Sequence, residues 1–121
     1  MRIRTIILTA LVGGATAGSL LAWHNHLVKS APAADEQVAR SPTAVRLWFA
    51  EKPVTQFTSI SLSKADSSKV EIGKTHATED SLSVAADLAK PLPAGMYTVS
   101  WRTAGDDGHA IRGKYRFSVT Q

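Results

Sequence analysis

Three histidines and one carboxylate are spaced in a way that could bind a metal ion. Asp107 and His109 are separated by a single glycine, and His24 and His26 have the same spacing near the front of the chain. Side chains two residues apart point to the same side of an extended backbone. Carboxylate oxygen and neutral imidazole nitrogen suit Cu(II), Zn(II) or Ni(II). We therefore hypothesise that the fold brings the two segments together around one ion.

The first of these histidines gains a second donor atom if processing makes it the N-terminal residue. The α-amine and ring nitrogen of His24 would then chelate one ion together. Asp107 and His109 would complete the near-square arrangement that Cu(II) prefers. His26 would be an axial ligand, a neighbour that tunes the site, or a polar residue at its rim. His76 lies in a polar stretch, and we expect it to be solvated.

The front of the chain has the pattern of an export signal. Arg2 and Arg4 precede residues 5–21, which carry no charge and are rich in Gly, Ala and Thr. That run is short for a membrane span. We interpret residues 1–23 as a secretory signal, with an uncleaved N-terminal anchor as the alternative, and residues 24–121 as one domain.

The cleavage point decides whether the His24 amine exists. A cut directly before His24 would leave Trp23 at the last signal position, where a small residue is preferred. A cut after Ala22 fits that preference better, but it would leave Trp23 at the front of the mature chain.

Composition excludes several classes of site. The chain has no cysteine, so disulfides, cysteine-ligated zinc and iron–sulfur clusters are excluded. Its methionines are Met1 and Met96, so a dedicated Cu(I) site is not expected. Removing Arg2 and Arg4 from 14 basic residues leaves 12 against 10 acidic ones, a formal charge of +2. The charges alternate in sign and form no block, and we expect no nucleic-acid binding.

Alternation of apolar and polar residues predicts strands along most of the remaining chain. Residues 43–51 place Val45, Leu47 and Phe49 on one face, and the last strand places Tyr115, Phe117 and Val119 on one face. Shorter runs of the same kind occur at residues 57–63, 69–72 and 81–85, the last with Leu82 and Val84 on one face.

A sharp corner at residues 92–97 adds a more specific indication of the fold. Tyr97 follows a Pro/Gly turn and enters a strand, as in the tyrosine corner of Greek-key sandwiches, where the hydroxyl bonds back to the incoming loop. With about seven short strands and no convincing helix, the sequence predicts an all-β sandwich.

Other catalytic patterns are missing from the sequence. It contains no G-x-S-x-G elbow and no phosphate-cradling glycine loop. Asp106 and Asp107 are adjacent and would face opposite ways in a strand, so they do not form a carboxylate pair.

The motifs resemble those of the CopC family of periplasmic copper-binding proteins. They cover nearly all of residues 24–121 in order. The matching elements are His24-x-His26-Leu27-x-x-Ser30-x-Pro32-Ala33, Val45-x-Leu47-x-Phe49 with Glu51 and Pro53-Val54, Leu92-x-x-Gly95-x-Tyr97-x-Val99-x-Trp101-Arg102, Asp107-Gly108-His109-x-Ile111-x-Gly113, and Phe117-x-Val119.

This resemblance implies a Greek-key β-sandwich, immunoglobulin-like or cupredoxin-like, that holds one Cu(II) ion in the periplasm. His24 would supply amine and imidazole, and Asp107 and His109 the remaining ligands. The methionine-rich loop of members that also bind Cu(I) is missing from residues 63–80, which implies a Cu(II)-only type. A CopD-like inner-membrane protein is the implied partner. We expect a non-catalytic monomer that buffers or delivers copper.

Two other functions are compatible with the sequence. An N-terminal histidine chelate with a second histidine is also the motif of copper oxygenases that attack polysaccharides. A carboxylate such as Asp107 would fill an equatorial position there and suppress oxygen chemistry. The second alternative is a metal-free sandwich used for adhesion or as an interaction module.

Overall fold

Two β-sheets packed face to face make up the domain, as the sequence predicts. The computed structural model describes residues 25–105 and 107–121. The strands are β1 Leu27–Ala31, β2 Gln37–Val38, β3 Ala44–Phe49, β4 Ser59–Lys64, β5 Lys69–Val70, β6 His76–Ala77, β7 Ser83–Asp87, β8 Gly95–Ala104 and β9 Ala110–Val119. One sheet has the strand order β1-β3-β7-β6 and the other β2-β9-β8-β4-β5.

The described residues therefore form nine strands, whereas about seven were expected. Three of them have only two residues. Of these, β5 lies within the predicted run 69–72, whereas β2 and β6 are too short to show a periodic pattern and were not predicted. Within the described residues, the 3-10 turn Thr55–Phe57 precedes β4. The described residues include no helix long and apolar enough to span a membrane.

The core lies between the sheets and consists of the inward residues of both. Val45, Leu47 and Phe49 of β3 are all buried, as their alternation predicts. Leu82 and Val84 were predicted to share one face of a strand, but β7 begins only at Ser83, and Leu82 is 39% exposed whereas Val84 is buried. The predicted strand at residues 57–63 likewise begins two residues later, at Ser59.

The tyrosine corner is present. The buried Tyr97 donates a hydrogen bond from its hydroxyl to the carbonyl oxygen of Pro93 at 2.6 Å. Its ring stacks on Phe117 with centroids 5.6 Å apart. Burial raises the pKa of the Tyr97 hydroxyl, so it stays a proton donor at physiological pH. The contact ties the turn before β8 to the core of the sandwich.

Replacing Tyr97 with phenylalanine is expected to lower the free energy of unfolding by about 1 kcal/mol, the usual value for one hydrogen bond. Tyr115→Phe is the matched control, since the buried Tyr115 hydroxyl has no hydrogen-bond partner within the described residues. Urea denaturation of both variants measures the difference. Equal losses in the two variants would contradict a role for the Tyr97 bond.

One end of the sandwich collects the segments that sequence analysis singled out. Leu27, at the start of β1, pairs with Phe49 at the end of β3. Ala104 and Ala110 pair where the β8–β9 hairpin closes. The Phe49 and Trp101 rings meet edge to face across the core, with centroids 5.3 Å apart. The chain before β1 and the β8–β9 loop therefore leave the two sheets at the same end.

Candidate metal centre

The β8–β9 loop has a backbone that requires glycine. Gly108 has φ +82°, in the left-handed region that side chains rarely adopt. Its N–H donates to the carbonyl oxygen of Gly105 at 3.0 Å, and the N–H of Gly105 faces the carbonyl oxygen of His109 at 3.4 Å. The loop is thus a closed turn that projects Asp107 and His109 from the end of the sheet.

Asp107 and His109 converge in this turn. Asp107 Oδ1 accepts the backbone N–H of His109 at 3.0 Å, and its Oδ2 lies 3.0 Å from His109 Nδ1. Residues 107–109 lie outside the strands, so the turn and not an extended backbone brings the two side chains together. The Asp107 side chain accepts a hydrogen bond from the backbone N–H two residues later, which is common for aspartate in turns.

The spacing of the two side chains fits coordination of one ion. Nitrogen and oxygen ligands lie about 2 Å from a first-row metal, so two ligands at right angles are about 3 Å apart. The Asp107 Oδ2 to His109 Nδ1 distance of 3.0 Å matches this value. The side chains are 40% and 80% exposed, respectively, so an ion can reach them from solvent.

The local hydrogen bonds favour the charged form of the carboxylate. The backbone N–H of His109 is the main cause that lowers the pKa of Asp107 below its ordinary value, and the His109 ring lowers it further. A metal ligand must be deprotonated. Asp107 therefore meets that condition well below neutral pH.

Asn25 fastens the N-terminal segment to the same end of the sandwich. Its buried amide donates from Nδ2 to the carbonyl oxygen of Glu51 at 2.9 Å. Its Oδ1 accepts the N–H of Glu51 at 2.8 Å and that of His26 at 3.0 Å. The N–H of Ala50 donates to the His26 carbonyl oxygen at 2.9 Å. The chain is thus held in place from the residue that directly follows His24.

Sequence reasoning missed Asn25. Placed between two histidines, it has the composition of a polar linker, and nothing local indicates burial. Only the pairing of β1 with β3 brings it against Glu51. The residue expected as the N-terminal ligand, His24, lies outside the described residues.

Asn25→Ala is expected to lower the free energy of unfolding by about 2 kcal/mol, because it leaves backbone groups of Glu51 and His26 without their partner. Asn25→Asp should lose at least as much, since its buried carboxylate accepts both N–H groups but sets a charged oxygen against the Glu51 carbonyl oxygen. Thermal or urea unfolding of the metal-free protein measures both. A loss below about 0.5 kcal/mol for alanine would exclude this anchoring role.

The structure does not group His26 or His76 with this pair. No group of three or more His, Cys, Asp or Glu side chains able to hold a metal occurs within residues 25–105 and 107–121. His76 lies on β6, at the sheet edge opposite β1. Its Nε2 is 3.5 Å from Asp87 Oδ2, and its Nδ1 is 2.9 Å from the carbonyl oxygen of Ala77. The Ala77 carbonyl is the main cause that raises the pKa of His76, and Asp87 raises it further.

Comparison with known families gives a match over most of the chain. Residues 27–120 match the CopC domain. Over 97 residues the chain is 34% identical to Protein YobA of Escherichia coli K12, covering 79% of this chain and 78% of YobA. It is 32% identical over 123 residues to Copper resistance protein C of Pseudomonas syringae pv. tomato, covering 96% of each.

The fold also matches a solved structure. PcoC from Escherichia coli, described as a methionine-rich copper resistance protein, superposes with a TM-score of 0.74 at 34% identity. The superposition covers 81% of this chain and 100% of PcoC.

Proposed function

The chain belongs to the CopC family, and we propose that it is a copper-binding protein of copper resistance that holds one Cu(II) ion. Asp107 and His109 supply two ligands, and the amine and imidazole of His24 supply two more. The observation that carries this proposal is the convergence of Asp107 Oδ2 and His109 Nδ1 at 3.0 Å in an exposed loop. His26 remains a candidate axial ligand or neighbour of the site.

The oxidation state follows from the donor atoms. Oxygen and imidazole nitrogen favour Cu(II), whereas Cu(I) sites use sulfur. Met96 is the one methionine among the described residues, and it lies at the start of β8, whereas the loop follows the end of that strand. Ala104 lies eight residue steps beyond Met96 along the strand, which is about 26 Å. The site therefore has no thioether nearby, in contrast to the methionine-rich description of PcoC.

A storage or delivery role suits this ligand set better than catalysis. Copper oxygen chemistry needs an open equatorial position, and Asp107 fills one in the proposed arrangement. The loop itself is small and exposed. We infer that the protein buffers copper or passes it on and has no catalytic activity of its own.

Because the front of the chain is interpreted as an export signal, the proposed role lies in the periplasm. Residues 1–23, interpreted as a secretory signal, lie outside the described residues, and the mature domain would begin at His24. A CopD-like inner-membrane protein is the proposed recipient or donor of copper, and the mature protein is proposed to act as a monomer.

Acidification is expected to release the ion. Imidazole and amine ligands must lose protons to bind, so affinity should fall below about pH 6, where histidines become protonated. Asp107 contributes little to this loss, because its lowered pKa keeps it charged to more acidic pH. Chelator competition titrations at several pH values measure the effect. An affinity that stayed constant from pH 7 to about pH 5 would contradict imidazole ligation.

Isothermal titration of Cu(II) into protein with an N-terminus verified by intact mass tests the whole proposal. We expect one ion per chain and a higher melting temperature for the loaded protein, because a ligand that binds only the folded state stabilises it. A chain that starts elsewhere than His24 should bind more weakly, since the amine-plus-imidazole chelate is lost.

A further inference from the structure

The outer face of the larger sheet collects basic side chains. Arg112, Lys114 and Arg116 occupy alternate positions of β9, and all three are exposed. Alternate residues of a strand share one face. Arg102 of β8 pairs directly with Arg112 and is also exposed. Lys69 of β5 joins the same face through its pairing with Ser63. These five residues are called the basic face below.

Between these charges lie hydroxyl side chains. Besides the basic residues and Met96, the positions on this side of β4, β8 and β9 hold serine, threonine and, where the β8–β9 hairpin closes, alanine: Ser59, Ser61, Ser63, Thr98, Ser100, Ser118, Ala104 and Ala110. None of those positions is acidic. Within the part of the chain that the structure describes, no member of the basic face forms a salt bridge. Asp35 and Glu36 line a groove together with Arg116, and Asp35 also lines one with Lys114.

The sequence did not predict this face. Alternating charge and no basic block were expected along the chain, but Arg112, Lys114 and Arg116 follow one another with no acid between them. Antiparallel pairing then sets Arg102 beside Arg112, although ten positions separate them in the chain. Like charges directly opposite each other on neighbouring strands repel, so the pair Arg102 and Arg112 lowers the stability of the fold unless an anion lies close to it.

The chemistry of the face restricts what can cover it. Single-stranded nucleic acid is bound on aromatic platforms, and no outward position of β4, β8 or β9 is aromatic. Protein interfaces place apolar and aromatic residues at their centre, whereas the centre here is Ser, Thr, Arg and Lys. A broad sheet surface of exposed cations and hydroxyls instead complements an extended anionic surface.

We propose that the basic face binds anionic phospholipid membranes through their headgroups, without insertion into the acyl region. Exposed Met96 lies at the far end of β8, so the centre of the face has no large apolar side chain to insert. Each Lys or Arg near an anionic leaflet strengthens binding roughly five-fold. This docking is independent of copper, and it leaves the Asp107–His109 loop at the end of the sheet open to solvent.

Sedimentation with lipid vesicles tests the proposal on the intact, metal-free protein. Vesicles of phosphatidylcholine alone are compared with vesicles that contain equal parts of phosphatidylcholine and phosphatidylglycerol, at low and at high salt. We expect binding only to the anionic vesicles, and release as salt rises. An N-terminal segment that keeps Arg2, Arg4 and the apolar run would itself favour anionic vesicles, so the variants described next are needed to assign the preference to the basic face.

A matched pair of triple variants distinguishes binding by the basic face from binding by net charge alone. The variant R112S/K114S/R116S should bind anionic vesicles about 100-fold more weakly, three factors of about five. The variant K52S/K74S/K90S removes the same charge from exposed loop positions and should bind almost as the parent does. Arg112→Lys with Arg116→Lys should also retain binding, which checks the result if the serine variant folds poorly.

Three outcomes would overturn the proposal. The first is no preference of the parent protein for anionic vesicles. The second is an equal loss in the two triple variants, which would indicate net charge alone. The third is salt-sensitive binding to poly-glutamate with none to the vesicles, which would indicate an acidic protein partner.

Discussion

Replacing His109 with alanine is expected to weaken Cu(II) binding by about 100-fold or more. Mutating residues that merely support a metal ligand costs 10- to 100-fold in affinity, so loss of a ligand itself should reach or exceed the top of that range. His109 is 80% exposed and its ring contacts Asp107, so the substitution should leave stability nearly unchanged. Chelator competition on the verified mature protein gives the ratio.

His76→Ala is the control for this experiment. It also removes a histidine that faces a carboxylate, but on β6 at the far edge of the smaller sheet. Its Cu(II) affinity should match that of the parent protein. If His109→Ala had no effect, or if His76→Ala had the larger effect, the assignment of the site to the β8–β9 loop would be wrong.

Gly113→Ala is expected to lower the free energy of unfolding by about 3 kcal/mol, at the upper end of the cost of overpacking a core. Gly113 of β9 pairs with Trp101 of β8. An added Cβ would lie 2.5 Å from Trp101 Cζ2 and 2.7 Å from Cε2, well inside van der Waals contact. The indole cannot simply move aside, because its ring is held edge to face against Phe49.

Gly73→Ala is the matched control for overpacking. There an added Cβ would meet its nearest atom, the backbone oxygen of Asp87, at 3.4 Å, and the glycine has an ordinary backbone conformation. We expect a change within about 0.5 kcal/mol in urea denaturation. The double variant Gly113→Ala with Trp101→Phe should lose less free energy of unfolding than the two single variants lose together, because the smaller ring relieves the contact. Strict additivity would contradict the proposed clash.

Local alternation was enough to predict the core of the sandwich. Val45, Leu47 and Phe49 are buried because a strand with one face against a second sheet must place every other residue inside. The Tyr97 corner was equally predictable, since the turn residues and the tyrosine lie close together in sequence. Both features depend on neighbours in the chain.

Features that depend on distant pairing could not be predicted. The burial of Asn25 requires Glu51, and the basic face requires β8 to lie beside β9 in one register. Asp107 and His109 were singled out from their spacing around one glycine, and the structure brings them into contact through the turn at Gly108. Two-residue strands such as β6 carry too few residues to show any period.

The anchoring of Asn25 bears directly on the role of His24. A chelate from the N-terminal residue needs the following chain held still, because flexible ligands lose conformational entropy on binding. The four hydrogen bonds around Asn25 and His26 supply that restraint next to the residue concerned. We therefore expect Asn25→Ala to weaken copper binding as well as folding.

The electron paramagnetic resonance spectrum of the protein with one equivalent of Cu(II), beside that of the D107N/H109A variant, tests the central claim most directly. We predict a tetragonal nitrogen and oxygen site in the parent protein, with a single species at one equivalent. In the variant the spectrum should change to fewer nitrogen ligands or to unbound copper. An identical spectrum in parent and variant would show that copper binds elsewhere and would contradict the account.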